Sequence, residues 1–259
     1  MSSAEGALLR ADRLSKRFGA MRAVDAMSLA LHNGEIVGLV GPNGAGKTTF
    51  FNLLAGSLSS DDGAIFLGGQ DITSFAPYRR MSRGLGRTFQ IPKPFSEMTL
   101  LENVMLAAQN QSGERIWNNW LKPRLVASEE QRVRDKAMDL LAFLTLDQLA
   151  GEPARILSGG QRKLLELARV LMADPRIILL DEPAAGVNPS LLEVIIDRIA
   201  EINARGITFL IIEHNMDLVA RLCGRVVVMA SGALLCAGTP DEVARNPSVI
   251  EAYLGGRAA

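Results

Sequence analysis

Gly41-Pro42-Asn43-Gly44-Ala45-Gly46-Lys47-Thr48-Thr49 fits the pattern of Gly, four residues, Gly, Lys and then Ser or Thr. Directly before it, Ile36-Val37-Gly38-Leu39-Val40 is a short apolar run that reads as a buried strand. Directly after it, Thr48 to Ala55 is apolar and free of Pro, and it reads as a helix ended by Gly56. A glycine-rich loop between strand and helix is the context in which this pattern binds phosphate. Glycines carry no Cβ, so backbone N–H groups can turn inward on an anion. The helix N-terminus adds the positive end of its dipole. Lys47 is expected to reach the β- and γ-phosphates of a nucleotide, and Thr48 to place its hydroxyl on Mg²⁺. The plainer alternative is a glycine turn before an ordinary helix.

Two more stretches extend this reading. Ile177-Ile178-Leu179-Leu180 is an apolar strand that delivers Asp181 and Glu182 at its carboxyl end, where ligands bind in α/β sheets. Asp181 is expected in the Mg²⁺ shell, and Glu182 can take a proton from an attacking water. An Asp-Glu pair at a strand end is common by itself and gains weight only beside the phosphate loop. Leu157-Ser158-Gly159-Gly160-Gln161 then opens a helix, with Ser158 and Gln161 spaced as a capping box. Its hydroxyl, its two glycine N–H groups and the helix dipole make a second anion site. One nucleotide needs only one such loop, so the second one requires an explanation.

The string Leu157–Gln161 matches the signature motif of ATP-binding cassette (ABC) ATPases letter for letter, and it precedes the Asp181-Glu182 strand as that family's order requires. The chain resembles that family along essentially its whole length. The resemblance implies a P-loop NTPase α/β fold: a RecA-like parallel-sheet core, a small antiparallel β subdomain and an inserted helical subdomain. It implies ATP and Mg²⁺ as ligands, with Gly41, Pro42, Asn43, Gly44, Ala45, Gly46, Lys47, Thr48 and Thr49 around the phosphates. Phe18 resembles the aromatic that stacks on adenine, a packed strand residue being the alternative. Gln90, in Arg87-Thr88-Phe89-Gln90, resembles the loop glutamine that meets Mg²⁺ and the attacking water. His214, after the strand Thr208–Ile212 and Glu213, resembles the switch histidine that bridges Glu182, the water and the γ-phosphate. Ala185-Gly186-Val187-Asn188 occupies the dimer-contact loop, with Asn188 where many members carry Asp. The resemblance also explains the second anion site. Two cassettes, identical or paralogous, pack head to tail, and Ser158, Gly159, Gly160 and Gln161 of one close over ATP held by Gly41–Thr49 of the other.

Finer similarity lies in Gly86–Phe95, Met98–Val104, Pro183–Pro189 and Val249–Gly255, which resemble the ATPase subunits of branched-chain amino acid importers. The extended segment 110–127 resembles the longer of the two ATPases of such systems. This implies two integral membrane permeases and, indirectly, a solute-binding protein, at the cytoplasmic face of the cell membrane. Urea, short-chain amide and aromatic-acid importers share the subgroup, as do lipopolysaccharide-export ATPases. ABC ATPases that act on DNA or ribosomes form a different class, usually with two cassettes or a long coiled coil.

Bulk properties agree. Lys plus Arg and Asp plus Glu are 28 each, so the chain lacks the basic excess of a nucleic-acid binder. A hydrophobic content of 48% is ample for a core, yet no uncharged apolar run approaches a membrane span of about 18 residues. The N-terminal stretch has no basic start followed by an apolar core, so no signal peptide is expected. Cys223 and Cys236 have no metal or redox spacing and suit a reducing compartment.

Along the chain, residues 1–95 are expected to form the first part of the core with its antiparallel subdomain. Residues 96–157 form the helical subdomain, and residues 158–259 the rest of the core. Strands are expected at 7–13, 22–31 and 64–67, with Asn33-Gly34 as a hairpin turn. Thr99 with Glu102 and Ser128 with Gln131 read as capping boxes. Segment 110–127 reads as an irregular loop anchored by Trp117 and Trp120, or as a partner contact through them. Later, Asn188-Pro189 opens a helix, Val226–Met229 and Leu234–Cys236 form a hairpin, and Thr239 and Asn246 cap the last helices.

Overall fold

The computed structural model describes residues 6–88, 93–109, 111, 120 and 123–255. Its centre is a six-stranded sheet in the order β10-β9-β3-β8-β7-β6. The strands are β3 (Ile36–Val40), β6 (Leu85–Arg87), β7 (Ile177–Asp181), β8 (Thr208–Ile212), β9 (Arg225–Ala230) and β10 (Ala233–Gly238). All neighbours are parallel except β10, which turns back on β9 around Ser231-Gly232. Every residue of β3, β7 and β8 is buried. That is the pattern of parallel strands covered on both faces.

The period of two sorts these apolar runs onto two cores. Val37, Leu39, Ile177, Leu179, Leu210, Ile212, Val227 and Met229 face one cluster, which contains helix α1 (Lys47–Ala55). Ile36, Val40, Ile178, Leu180, Phe209, Ile211, Val226 and Val228 face the other, which is built mainly by helices. The first cluster is closed by a four-stranded antiparallel sheet, β2-β1-β4-β5, formed by β1 (Leu9–Phe18), β2 (Met21–Leu31), β4 (Asp62–Leu67) and β5 (Gln70–Asp71). Helix α1 is thus held between two sheets, with Phe50, Phe51, Leu53 and Leu54 fully buried. The second cluster contains residues of α3 (Leu100–Met105), α4 (Pro123–Phe143), α5 (Gly159–Met172), α6 (Pro189–Ala204) and α7 (Met216–Leu222). On one face of α4, Ala137 and Leu141 are buried, with Leu144 buried just past its end, and Val133 and Leu140 pack beside them, as their spacing predicts. Short helices α8 (Pro240–Ala244) and α9 (Pro247–Gly255) end the described chain. Among the described residues no helix is long and apolar enough to cross a membrane.

Several local expectations need correction. The first strand runs to Phe18 rather than stopping at 13, because Arg13 takes a positive φ of 46° at a register shift. Such a bulge breaks the apolar alternation while the ladder continues. The β1–β2 hairpin turns at Gly19-Ala20. Asn33-Gly34 is a turn but not a hairpin, since β2 and β3 belong to different sheets. Its Gly34 N–H donates to Thr208 Oγ1 at 2.9 Å, which carries the chain from one sheet to the other. Ser128 does not cap a helix. Helix α4 already runs from Pro123, and the Ser128 hydroxyl donates back to the Leu125 carbonyl. Residues 123–127 are therefore helical rather than irregular, and Trp120 is 86% exposed instead of packed. Trp117 lies outside the described residues.

One buried cation holds α1 in place. Arg80, on α2 (Pro77–Met81), is 2% exposed. Its guanidinium donates to the carbonyls of Leu53 and Leu54 at 2.7 Å each, and to those of Phe75 and Thr73. Both Leu53 and Leu54 lie in the last turn of α1, where a helix leaves carbonyls without intrahelical donors, although Leu53 also accepts from the Gly56 N–H at 3.1 Å. Burial pulls this guanidinium down to about 10, partly offset by Asp71. Arg80→Met should cost about 2–4 kcal/mol of unfolding free energy, because several buried acceptors lose their donor together. Urea denaturation checks this, and a midpoint equal to that of the parent would contradict it.

Candidate functional site

Because β3, β7 and β8 are parallel, their carboxyl ends lie along one edge of the sheet and deliver Gly41, Glu182 and Glu213 together. A cleft of about 450 Å³ opens there. It is lined by Met21, Arg22 and Ala23 from the antiparallel sheet, by Asn43–Thr49 from the loop, and by Glu182, His214 and Ser231. Glycine is required at two loop positions. A Cβ on Gly41 (φ 148°) would lie 2.1 Å from the Met229 carbonyl oxygen, and one on Gly46 (φ 95°) 2.2 Å from that of Ala23. Lys47 is buried, and its ammonium donates to the Gly41 and Pro42 carbonyls at 2.7 and 3.0 Å. Burial lowers its pKa, and the charge of Glu182 opposes that shift. Thr48 is exposed at the start of α1.

Glu182 leaves the strand with φ 48°, a left-handed conformation rare for a residue with a Cβ. Its N–H still bonds to the Ile212 carbonyl at 2.9 Å, so the ladder ends here as the side chain swings into the cleft. Glu182 Oε1 lies 3.2 Å from His214 Nε2. A carboxylate and an imidazole in contact, facing a glycine-rich loop, can together hold and deprotonate a water.

Asp181 sits one residue back and does not line the cleft. It is 4% exposed, its Oδ2 is 3.5 Å from Arg87, and its Oδ1 is buried with no hydrogen-bond partner among the described residues. Burial raises its pKa, and the Arg87 charge opposes that shift. Asp181 and Thr48 offer oxygen alone, as Mg²⁺ prefers, and one or two protein ligands suffice when phosphates and waters complete the shell. The buried oxygen without a donor therefore fits a cation. Gln90 lies outside the described residues.

The structure does not bring every expected residue to the cleft. Phe18 is 48% exposed and pairs with Met21 across the hairpin turn, but it is Met21 that lines the cleft. Ser158 caps α5 in a complete capping box with Gln161. Ser158 and Gly159 are exposed and, with Gly160 and Gln161, lie outside the lining of the cleft in their own chain. Gly160 is buried against α6, where a Cβ would meet Leu191 Cδ2 at 2.3 Å. Asn188 is the N-cap of α6, accepting from the Leu191 N–H at 2.8 Å.

Other functional neighbours escaped the motifs. Arg87 reaches Asn52 Oδ1 of α1 at 2.7 Å as well as Asp181, so it ties the loop helix to β7. Lys163 of α5 donates to the Glu182 carbonyl. Tyr253 of α9 meets the Gly41 backbone; burial pushes its phenol up, and that hydrogen bond pulls it down. The usable signal was charge in an apolar setting. Glu213 ends the apolar strand β8, and Lys163 opens the apolar stretch of α5.

The chain is similar to known proteins along nearly its whole length. A family model described as ABC transporter matches residues 24–185. A second, described as branched-chain amino acid ATP-binding cassette transporter, matches residues 233–259, the segment that carries Tyr253. The chain is 41% identical over 252 residues to a probable branched-chain amino acid transport ATP-binding protein, LivG, of Archaeoglobus fulgidus, covering 96% of this chain and 95% of that one. It is 37% identical over 249 residues to the high-affinity branched-chain amino acid transport ATP-binding protein BraF of Pseudomonas aeruginosa, covering 96% and 98%. A solved structure, the ADP conformation of an ATP-binding cassette of an ABC transporter, superposes with a TM-score of 0.83 at 38% identity, covering 96% of this chain and 99% of that one.

Proposed function

The chain belongs to the ABC transporter family of ATP-binding cassettes, and on that premise we propose that it is the ATP-hydrolysing subunit of an importer for branched-chain amino acids. The solute is carried over from the named relatives and from the match over residues 233–259. A bound nucleotide would place its phosphates on the Asn43–Thr49 backbone, with Lys47 released from its own loop carbonyls to meet the β- and γ-phosphates. Thr48 and Asp181, with Gln90, would hold Mg²⁺, which supplies charge neutralisation across the phosphate oxygens when bound. Glu182 accepts the proton of the attacking water, and His214 holds that water and the γ-phosphate. The base would lie against the β1–β2 hairpin, where Met21 lines the cleft and Phe18 pairs with it.

The observation that carries the proposal is the split between two anion-binding elements. The loop, Glu182 and His214 share one cleft, while Ser158–Gln161 sit outside it, exposed at Ser158 and Gly159. A second cassette packed head to tail completes each site with its own Ser158–Gln161. ATP then favours the closed pair and hydrolysis releases it. Movement of the helical region, residues 96–157, passes to two membrane permeases, with the chain held peripherally at the membrane's cytoplasmic face.

The experiment replaces Ser158 with Arg. In the free chain, ATP affinity should stay within about twofold, because the substituted residue is not in the chain's own cleft; in the assembled transporter, hydrolysis and leucine uptake into vesicles should be lost. A transition state deprived of an anion-binding helix terminus loses roughly 10²-fold or more in rate. A free chain that loses ATP affinity as strongly as hydrolysis would contradict the assignment to a partner's site.

A further inference from the structure

Glu213 is 3% exposed, yet it carries a carboxylate. Its Oε1 accepts from the Ala184 N–H at 2.7 Å, and its Oε2 from the N–H groups of His214 at 2.8 Å and Asn215 at 3.0 Å. One side chain therefore binds three backbone donors on two loops. One loop follows Glu182, and the other carries His214. Such charge-assisted bonds are about twice as strong as neutral ones. A positive charge lies near this carboxylate. Lys163 is half-buried, burial lowers its pKa, and Glu213 is the first of the acidic groups that oppose this. The same Lys163 donates to the Glu182 carbonyl, so the loop after β7 is held from two sides.

We propose that Glu213 is a positioning residue for hydrolysis, clamping the loop after Glu182 to the loop of His214 so that the two side chains stay in contact. This rests on the reading of Glu182 and His214 as the hydrolytic pair. The clamp needs a carboxylate. In an amide of the same shape one oxygen becomes an NH₂ donor, which would face either the Ala184 N–H or those of His214 and Asn215. Glu213→Gln must therefore let go of one loop, and His214 drifts from Glu182.

The chain has two histidines, His32 and His214, so imidazole NMR of the full-length, nucleotide-free protein gives two assignable ring signals. In the parent chain, Glu182→Gln should move the His214 signal and leave that of His32. In a Glu213→Gln background the same substitution should no longer move it. ATP turnover of Glu213→Gln should fall roughly 10- to 100-fold with KM within about threefold, as expected for a misplaced catalytic pair with intact substrate binding. If the His214 signal still responds to Glu182→Gln as in the parent, or if turnover is unchanged, the proposal is overturned. A merely structural role would lower the unfolding midpoint without breaking that spectroscopic link.

If Glu213→Gln does not fold, hydrogen exchange in the parent chain decides. The Ala184, His214 and Asn215 amides should exchange much more slowly than that of exposed Gly186, and equal rates would overturn the clamp. Full turnover by Glu182→Gln in an otherwise unaltered chain would instead sink the hydrolytic pair, an outcome the ATP-free His214 signal keeps separate from failure of the clamp.

Discussion

Glu182→Gln should lower ATP turnover roughly 10²–10⁴-fold, the range lost with a positioned general base. The substitution keeps the shape of the side chain, and Glu182 contributes only one wall of the cleft, so ATP affinity should change little. The amide also removes a negative charge from a cleft that must hold anionic phosphates, so affinity should be equal or somewhat higher. The variant should therefore accumulate bound, unhydrolysed ATP. Rapid-quench measurement of phosphate release, beside equilibrium binding of labelled ATP, checks both halves. Hydrolysis at the parent rate would remove Glu182 from its role as the base and leave His214 next to a bystander.

Lys47→Ala should act at the preceding step and abolish tight ATP binding. The ammonium is buried at the base of the loop, donating to the Gly41 and Pro42 carbonyls. Phosphate oxygens would replace those neutral acceptors with charged ones, a gain of about 3 kcal/mol or roughly a hundredfold in affinity. Alanine forfeits that gain and leaves the two carbonyls without their donor. Titration calorimetry with MgATP measures the loss, and unchanged affinity would refute the function assigned to the loop. The two substitutions separate cleanly, one sparing binding and the other removing it.

Much of this architecture was legible in the sequence because its signals are local. The apolar runs Ile36–Val40, Ile177–Leu180 and Thr208–Ile212 could hardly be anything but covered parallel strands, and the capping boxes at Thr99, Ser158 and Thr239 form as their spacing implies. Errors arose where two structures share one local pattern. Asn-Gly between strands marks a turn, but nothing local says whether the next strand joins the same sheet. The Ser128–Gln131 spacing looks like a cap until one sees that the helix began five residues earlier. The bulge at Arg13 hid half a strand because it breaks the period that reveals strands. At the site, the contact between Glu182 and His214 followed from motif order, whereas the clamp at Glu213 and the Arg87 bridge from Asn52 to Asp181 depend on which loops the sheet edge brings together. No spacing along the chain encodes those meetings.

The same distinction sets the most direct test, since the separation of Ser158–Gln161 from the cleft is a property of the fold. Sedimentation of the Glu182→Gln chain with MgATP, alone and combined with Ser158→Arg, measures whether bound ATP joins two cassettes. The account predicts an ATP-dependent shift from one copy to two for Glu182→Gln, and no shift once Ser158→Arg is added, with ATP still bound. ATP-loaded Glu182→Gln that stays a single copy, or a pair that forms equally well with Ser158→Arg, would contradict it.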